Sequence, residues 1–173
     1  MAARRFAGFY ASDLSRAFQT AGAIGAAIGQ EPLPRPALRE IFLGDWEGLT
    51  TAEIAERYPR EWAAWVREPD WDLVPGGEGA AIFDARVARA IDEIVEIVEQ
   101  HRHGGDVLVV THGGVIQVAL HRIVGRASRG LFPFKIQNAS ISLIEKRAGR
   151  TIIGGVNDIA HLEAALVTDV GPG

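Results

Sequence analysis

The chain has 173 residues, 47% of them hydrophobic and 23% charged, which is typical of one globular domain with a full core. Its net charge of −4 disfavours a general attraction to nucleic acid, so we expect no nucleic-acid partner. The lack of cysteine excludes disulfides and thiol chemistry and agrees with a cytoplasmic location. No apolar run suits a membrane span or a signal peptide, so we also expect no membrane partner.

The first part of the chain is predicted to form a strand, a helix and a proline-rich connection. FAGFYAS (6–12) has the pattern of a buried strand. Residues 13–28 then repeat apolar side chains at helical spacing, with Ser12 as the N-cap. The connection EPLPRPALREI (31–41) leaves room for a short strand around 37–41.

A loop and an interrupted helix are predicted next. The glycines of FLGDWEGLT (42–50) indicate a loop. Thr50 and Glu53 have the spacing of a capping box at a helix start, and Pro59 interrupts that helix.

The second half of the chain completes an alternation of helices and strands. A long amphipathic helix is predicted over 80–102, a buried strand over 106–112, a helix from 113, and a closing hairpin around the turn RAGR (147–150). This order predicts an α/β fold of three layers, a mostly parallel sheet with helices on both faces. We expect residues 1–173 to form a single domain.

Ligands of open α/β sheets bind beyond the carboxyl ends of the strands, and His112 ends a predicted strand there. The two glycines that follow it allow close approach of the backbone. The helix that begins at Gly113 directs its free N–H groups and positive dipole end to the same place, which favours an anion. The alternative is that His112 only ends a strand before a tight turn.

Arg16 and Glu40 add chemistry at the same edge. Arg16 lies in the first turn of the predicted helix, where a cation opposes the helix dipole unless an anionic ligand binds above it. The alternative is a surface arginine paired with Asp13. Glu40 lies near the end of the predicted short strand, and its alternative is a solvated loop carboxylate. Together with His112 these residues predict a phosphate-ester site, in which Glu40 protonates a leaving oxygen.

Five ordered segments carry a family resemblance over essentially the whole chain. They are YASDLSRAFQTA (10–21), LREIFLGDWEGLT (38–50), PGGEG (75–79), VLVVTHGGVI (107–116) and NDIAHL (157–162). In order and approximate spacing the chain resembles the histidine phosphatase superfamily, which has the phosphoglycerate mutase-like fold.

The resemblance implies roles for individual residues. It implies Arg16 and His112 as phosphate ligands and Glu40 as proton donor, and we expect phosphate or sulfate to bind between Arg16, His112 and the helix start at Gly113. It also places Asn138 close behind the pocket. Four further residues are expected near the mouth of the substrate site: Trp46, Glu47, Gly77 and Glu78.

One family motif is missing from the sequence. Members of the family open with a strand that ends in Arg-His-Gly, whose histidine accepts the phosphoryl group. The letters Arg-His-Gly occur only at 102–104, in a connection after a helix, and we interpret that match as chance. We therefore expect the first strand and helix, roughly 30–45 residues, to be missing. Truncation, a short non-catalytic relative and a second chain that fills the gap are the competing explanations.

The missing strand would lie inside the sheet beside the strand that ends in His112. Its loss would leave a central gap with unpaired ladders, which predicts either self-association, such as a homodimer, or poor stability.

The implied function is a phosphomonoester hydrolase for a small phosphorylated metabolite, working through a phosphohistidine. The connection over 41–80 is short for a specialised mutase pocket, so a phosphatase is favoured over a phosphoglycerate mutase. The resemblance implies no cofactor, and the five scattered histidines form no metal-ligand motif. The chain as written is expected to be inactive. Two competing hypotheses are a non-catalytic phospho-ligand or interaction module, and a hydrolase that uses His112 as a general base.

Overall fold

The computed structural model describes residues 6–100, 105–126, 133–147 and 149–162. Contacts divide the chain into two compact units, residues 1–132 and 133–173. The expectation of a single domain over 1–173 stays a prediction. Among the described residues, none of the helices is both long and apolar enough to cross a membrane.

The first unit contains a parallel sheet of three strands, which confirms the predicted α/β class. The strands are β1 (Gly8–Ala11), β2 (Leu33–Pro34) and β3 (Val107–Val110), in the order β2-β1-β3. Strand β1 pairs with β3 along its whole length, from Gly8 opposite Val107 to Ala11 opposite Val110. These three strands are direct neighbours, so the gap expected from a missing strand does not lie between them. Strand β3 lies at the edge of this described sheet.

Five α-helices are present in the described part of this unit. They are α1 (Ser15–Ile28), α2 (Thr51–Arg57), α3 (Pro59–Arg67), α4 (Ala80–Gln100) and α5 (Gly113–Ile123). The predicted capping box is confirmed, because Glu53 N–H donates to Thr50 Oγ1 at 3.3 Å and Thr50 N–H donates to Glu53 Oε2 at 2.8 Å. Pro59 is the first residue of α3, so it separates two helices as predicted.

Helices cover both faces of the sheet. On one face the buried side chains of Phe9 and Ala11 pack with Ala21 of α1. On the other face Tyr10 packs in a larger cluster with α4 and α5, which includes Phe83, Val87, Val115 and Val118. Alternate residues of β3 join the two clusters, which explains why its sequence is a continuous apolar run.

Two local predictions are wrong. Ser12 is not the N-cap of α1, since the helix begins at Ser15 with Leu14 at the N-cap position and the Ser12 hydroxyl contacts His112 instead. The strand expected at 37–41 is absent. The pairing with β1 occurs earlier, at Leu33–Pro34, and Pro36–Leu38 forms a 3₁₀ turn because proline has no N–H for a sheet and is preorganised for a helical start.

The second unit contains the predicted closing hairpin. Strands β4 (Ile141–Arg147) and β5 (Arg150–Asp158) are antiparallel, with Arg147 opposite Arg150 at the turn. Gly149 in this turn has φ of 75°, a left-handed conformation that glycine adopts without strain.

Candidate active site

His112 follows β3 at the carboxyl edge of the sheet and is buried, with 8% of its surface exposed. Its Nε2 lies 2.8 Å from Oγ of Ser12, the residue that follows β1. Ser12 is fully buried, and its N–H donates to the carbonyl of Val110 at 2.9 Å, which extends the pairing of β1 with β3. Sheet pairing therefore brings the histidine and the serine together.

The electrostatic environment keeps His112 neutral. The pKa of His112 is lowered to about 4, mainly by burial and to a lesser extent by the positive charges of Arg16 and Arg86. The imidazole is therefore uncharged at neutral pH, and the charge of Arg16 acts on it more strongly than that of Arg86.

Arg16 is the second residue of α1 and is exposed. The alternative of a surface pair with Asp13 is wrong, since Asp13 binds Arg39 through two hydrogen bonds of 2.7 and 2.6 Å. The hydrogen bonds from Arg39 lower the pKa of Asp13. Within the described ranges of the chain no ion pair joins Arg16 to a carboxylate, so its fork-shaped cation is available to an anionic ligand.

Glu40 lies in the loop after the 3₁₀ turn, half-buried, and its carboxylate sits on the start of α5. Oε2 accepts a hydrogen bond of 3.0 Å from Gly114 N–H, and Oε1 accepts one of 3.0 Å from Ile41 N–H. Since the N–H groups in the first turn of a helix have no partner within the helix, Glu40 satisfies one of them. The alternative of a solvated loop carboxylate is therefore wrong.

The two glycines after His112 meet different surroundings. A Cβ atom at Gly114 would lie 2.2 Å from Oε1 of Glu40, so the carboxylate requires a glycine there. A Cβ atom at Gly113 would meet nothing within 4 Å. The role of Gly113 in phosphate binding stays a prediction. The neighbouring N–H of Gly114 is already bound to the carboxylate of Glu40.

Arg86 of α4 is a further residue at this site, and the sequence alone gives little indication of its role. Its guanidinium donates to Glu78, at 2.8 Å for the bond to Oε2, and to the carbonyls of Ala37, Arg39 and Glu40 at 3.0, 2.7 and 3.0 Å. Thr111 also holds this loop, since its hydroxyl donates to the Leu38 carbonyl at 2.8 Å. Arg86 lies next to the apolar stripe of α4, and periodicity alone does not distinguish it from Arg89, the other arginine of the helix.

Trp46 is buried, and its expected place near the mouth of the substrate site stays a prediction. It is 4% exposed and packs edge-on against Trp62 and Trp65, with ring centroids 6.1 and 5.6 Å away. Its large apolar side chain is buried in the core that supports the loop after Glu40.

The other expected mouth residues contact that same loop. Glu47 is exposed, and its carboxylate accepts from Leu43 N–H at 2.9 Å. Glu78 N–H donates to the Phe42 carbonyl at 2.9 Å, and the backbone at Gly77 packs against Gly44, where a Cβ would lie 2.4 Å from the Gly77 nitrogen. Contact of these residues with a substrate stays a prediction.

Two further positions lie elsewhere. Asn138 belongs to the second unit and is exposed, so its expected place behind the pocket stays a prediction. The Arg-His-Gly match at 102–104 lies outside the described residues. Over the ranges that the structure describes, no three His, Cys, Asp or Glu side chains form a group suited to a metal ion.

An α/β fold with an arginine, a histidine and a glutamate at one edge of a parallel sheet defines a candidate phosphate-ester site. The sequence model of the histidine phosphatase superfamily (branch 1) matches residues 1–159. The chain belongs to this family.

Relatives and solved structures agree with that assignment. The chain is 34% identical to a metal-independent phosphoserine phosphatase of Arabidopsis thaliana over 90% of its own length. It is 30% identical to phosphoserine phosphatase 1 of Hydrogenobacter thermophilus over 88% of its length and 71% of that protein. The crystal structure of the alpha-ribazole phosphatase from Shigella flexneri superposes with a TM-score of 0.76 at 25% identity, over 89% of this chain and 74% of that one. The chain spans 63% of the Arabidopsis protein.

Proposed function

We propose that the chain supplies the phosphate-binding and proton-donating residues of a phosphomonoester hydrolase for small phosphorylated metabolites. The observation that carries the proposal is the meeting of Glu40 and His112 at the start of α5, in the positive field of Arg16. The relatives named as phosphoserine and alpha-ribazole phosphatases support this substrate class.

The first chemical step transfers the phosphoryl group to a histidine. The acceptor is the histidine of the Arg-His-Gly strand that the family resemblance implies and that the sequence does not show in that context. Its nitrogen forms a bond to phosphorus while the bond from phosphorus to the leaving oxygen breaks, and Glu40 gives that oxygen a proton to release an alcohol.

The second step returns the acceptor histidine. Glu40, now a carboxylate, takes a proton from water as the water oxygen bonds to phosphorus and the bond from phosphorus to nitrogen breaks. Arg16 and His112 hold the phosphoryl oxygens through both steps, where charge shifts among them. Transfer to a second substrate hydroxyl instead of water would make the protein a mutase.

A non-catalytic phospho-ligand module is the second candidate. One observation favours it: in the described part of the first unit, His112 is the one histidine at this edge of the sheet, while His121 lies in the last turn of α5. A site with phosphate ligands and no acceptor binds phosphate esters without turnover.

The test compares two proteins. One is the 173-residue chain, and the other, called here the extended protein, carries a strand ending in Arg-His-Gly and a helix ahead of residue 1. We expect both to bind phosphoserine and only the extended protein to release inorganic phosphate from it. If both proteins bind phosphoserine and neither releases phosphate from it, the non-catalytic module is supported. If neither protein binds phosphoserine, both candidate functions are refuted.

Two controls separate the remaining mechanisms. Turnover by the 173-residue chain that is lost in His112→Ala would indicate the general-base hydrolase. Incubation of the extended protein with 3-phosphoglycerate distinguishes phosphate release from transfer to the second hydroxyl, and we expect release.

A further inference from the structure

The guanidinium of Arg86 lies beneath the loop that carries Glu40, and all five of its N–H donors meet acceptors. Two bonds go to the carboxylate of Glu78. The other three bonds go to the backbone carbonyls of Ala37, Arg39 and Glu40. The arginine therefore holds the backbone at Glu40 and just before it in the chain.

Only an arginine makes this set of contacts. Its planar fork directs five donors at fixed angles, whereas a lysine ammonium carries three donors at one point. The fork is also fixed from its other side, because it lies 4.8 Å from the centre of the Phe83 ring, in the fully buried core.

Glu78 completes the arrangement. Its side chain is 13% exposed and that of Arg86 is 18% exposed, so each charge needs the other. Glu78 also binds the loop beyond Glu40, because its N–H donates to the Phe42 carbonyl at 2.9 Å and its Oε2 accepts from Phe42 N–H at 3.3 Å. The pair therefore holds the loop on both sides of Glu40.

We propose that Arg86 and Glu78 are a positioning pair that holds the carboxylate of Glu40 against the start of α5. The functional part of this inference, that the positioned group is the proton donor, rests on the proposed function. It assigns Glu78 to the support of Glu40 and not to contact with the substrate.

The amide of Gly114 reports on this arrangement. As the second residue of α5 its N–H has no partner within the helix, so its protection from hydrogen exchange depends on the carboxylate of Glu40. The amide of Glu53, the third residue of α2, also lies in the first turn of its helix, and it is bound by the Thr50 hydroxyl far from Arg86 in the sequence. It is an internal control in the same protein.

The experiment measures amide exchange by NMR in the 173-residue protein and in Arg86→Lys. We expect Gly114 to exchange about tenfold faster in the variant, with Glu53 unchanged, since the lost contacts release the Glu40 loop. Arg122→Lys is the matched control. Arg122 is exposed and binds Asp92 of α4, so this change disturbs an ion pair between α4 and α5 without touching the Glu40 loop.

Further variants cover the other outcomes. If Arg86→Lys does not fold, Glu78→Gln replaces it, and we expect the same faster exchange of Gly114 at a smaller ratio. Unchanged exchange of the Gly114 amide in a folded variant overturns the proposal. Unfolding of both Arg86→Lys and Glu78→Gln also overturns it, because the pair would then contribute to stability alone. A failure of the wild-type protein to bind phosphate would refute the proposed function, while the exchange result would still decide the positioning.

Discussion

Ser12 and His112 are 100 residues apart in the chain, yet the Ser12 hydroxyl oxygen lies 2.8 Å from Nε2 of His112. The same hydroxyl accepts from the N–H of Leu14 at 3.3 Å. The contact of this hydroxyl with Nε2 therefore holds the buried ring of His112 in one orientation.

We expect Ser12→Ala to lower both stability and phosphate affinity. The change leaves a ring nitrogen of the buried His112 without its hydroxyl partner, which costs about 1–3 kcal/mol of unfolding free energy. Thermal melting measures the stability, and calorimetric titration with phosphate measures the affinity.

Ser15→Ala is the control, because Ser15 is the exposed first residue of α1 and the change should stay within about 0.5 kcal/mol. Equal stability and phosphate affinity in Ser12→Ala and wild type would show that the hydroxyl does not hold the ring.

His112 predicts a dependence of stability on pH. Its pKa is about 4 in the folded protein, mainly because of burial, against an ordinary value of 6.5. Between these values the unfolded chain binds a proton that the folded chain does not, so stability falls as the pH drops from 6.5 towards 4. Melting over this range should show a shallower fall for His112→Gln than for wild type, and parallel curves would contradict the assignment.

Bound phosphate should raise the pKa of His112, because a negative charge nearby favours the protonated ring. NMR titration of the ring proton on Cε1, with and without phosphate, measures this shift. A pKa that stays about 4 at saturating phosphate would place the anion elsewhere.

The order of helices and strands could be predicted from the sequence because the signals are local. The apolar period of α4 and the capping box of Thr50 and Glu53 need only a few neighbouring residues. The strand expected at 37–41 does not form because Pro36 begins a 3₁₀ turn there. The strand that does form, β2, pairs with β1, whose position relative to it no short stretch of sequence indicates.

The site could be predicted only in part. Arg16 lies where a helix begins and His112 lies between a strand and a helix, which sequence patterns can locate, whereas Glu40 lies in a loop where a strand was expected. The partners that fix them could not be predicted, since Ser12 and Arg86 act across separations of 100 and 46 residues. In sequence, a half-buried arginine that binds a distant loop does not differ from any other polar residue of an amphipathic helix.

Arg16→Ala should weaken the binding of phosphate by about tenfold or more, since it removes a fork-shaped cation that can hold two phosphate oxygens. It should also raise the pKa of His112, because the charge of Arg16 is one cause of the lowered value. Calorimetric titration with phosphate and NMR titration of the ring measure the two effects.

Arg60→Ala is the matched control, because Arg60 is an exposed arginine near the start of α3 and should leave both quantities unchanged. Identical phosphate affinity in Arg16→Ala and wild type would remove Arg16 from the site.

Gly114→Ala and Gly113→Ala should separate the function of Glu40 from the stability of α5. In both variants alanine should favour the helix by less than the roughly 0.5–1 kcal/mol of a mid-helix position, because both glycines lie in the first turn. At 114 the new methyl group would lie 2.2 Å from Oε1 of Glu40, and the flexible carboxylate is what moves. We therefore expect Gly114→Ala to stay folded but lose protection of the Ile41 amide, which Glu40 also binds, and to lower turnover in the extended protein. Gly113→Ala meets nothing within 4 Å and should keep both. Equal turnover in the two variants would show that the contact of Glu40 with α5 is not needed for the reaction.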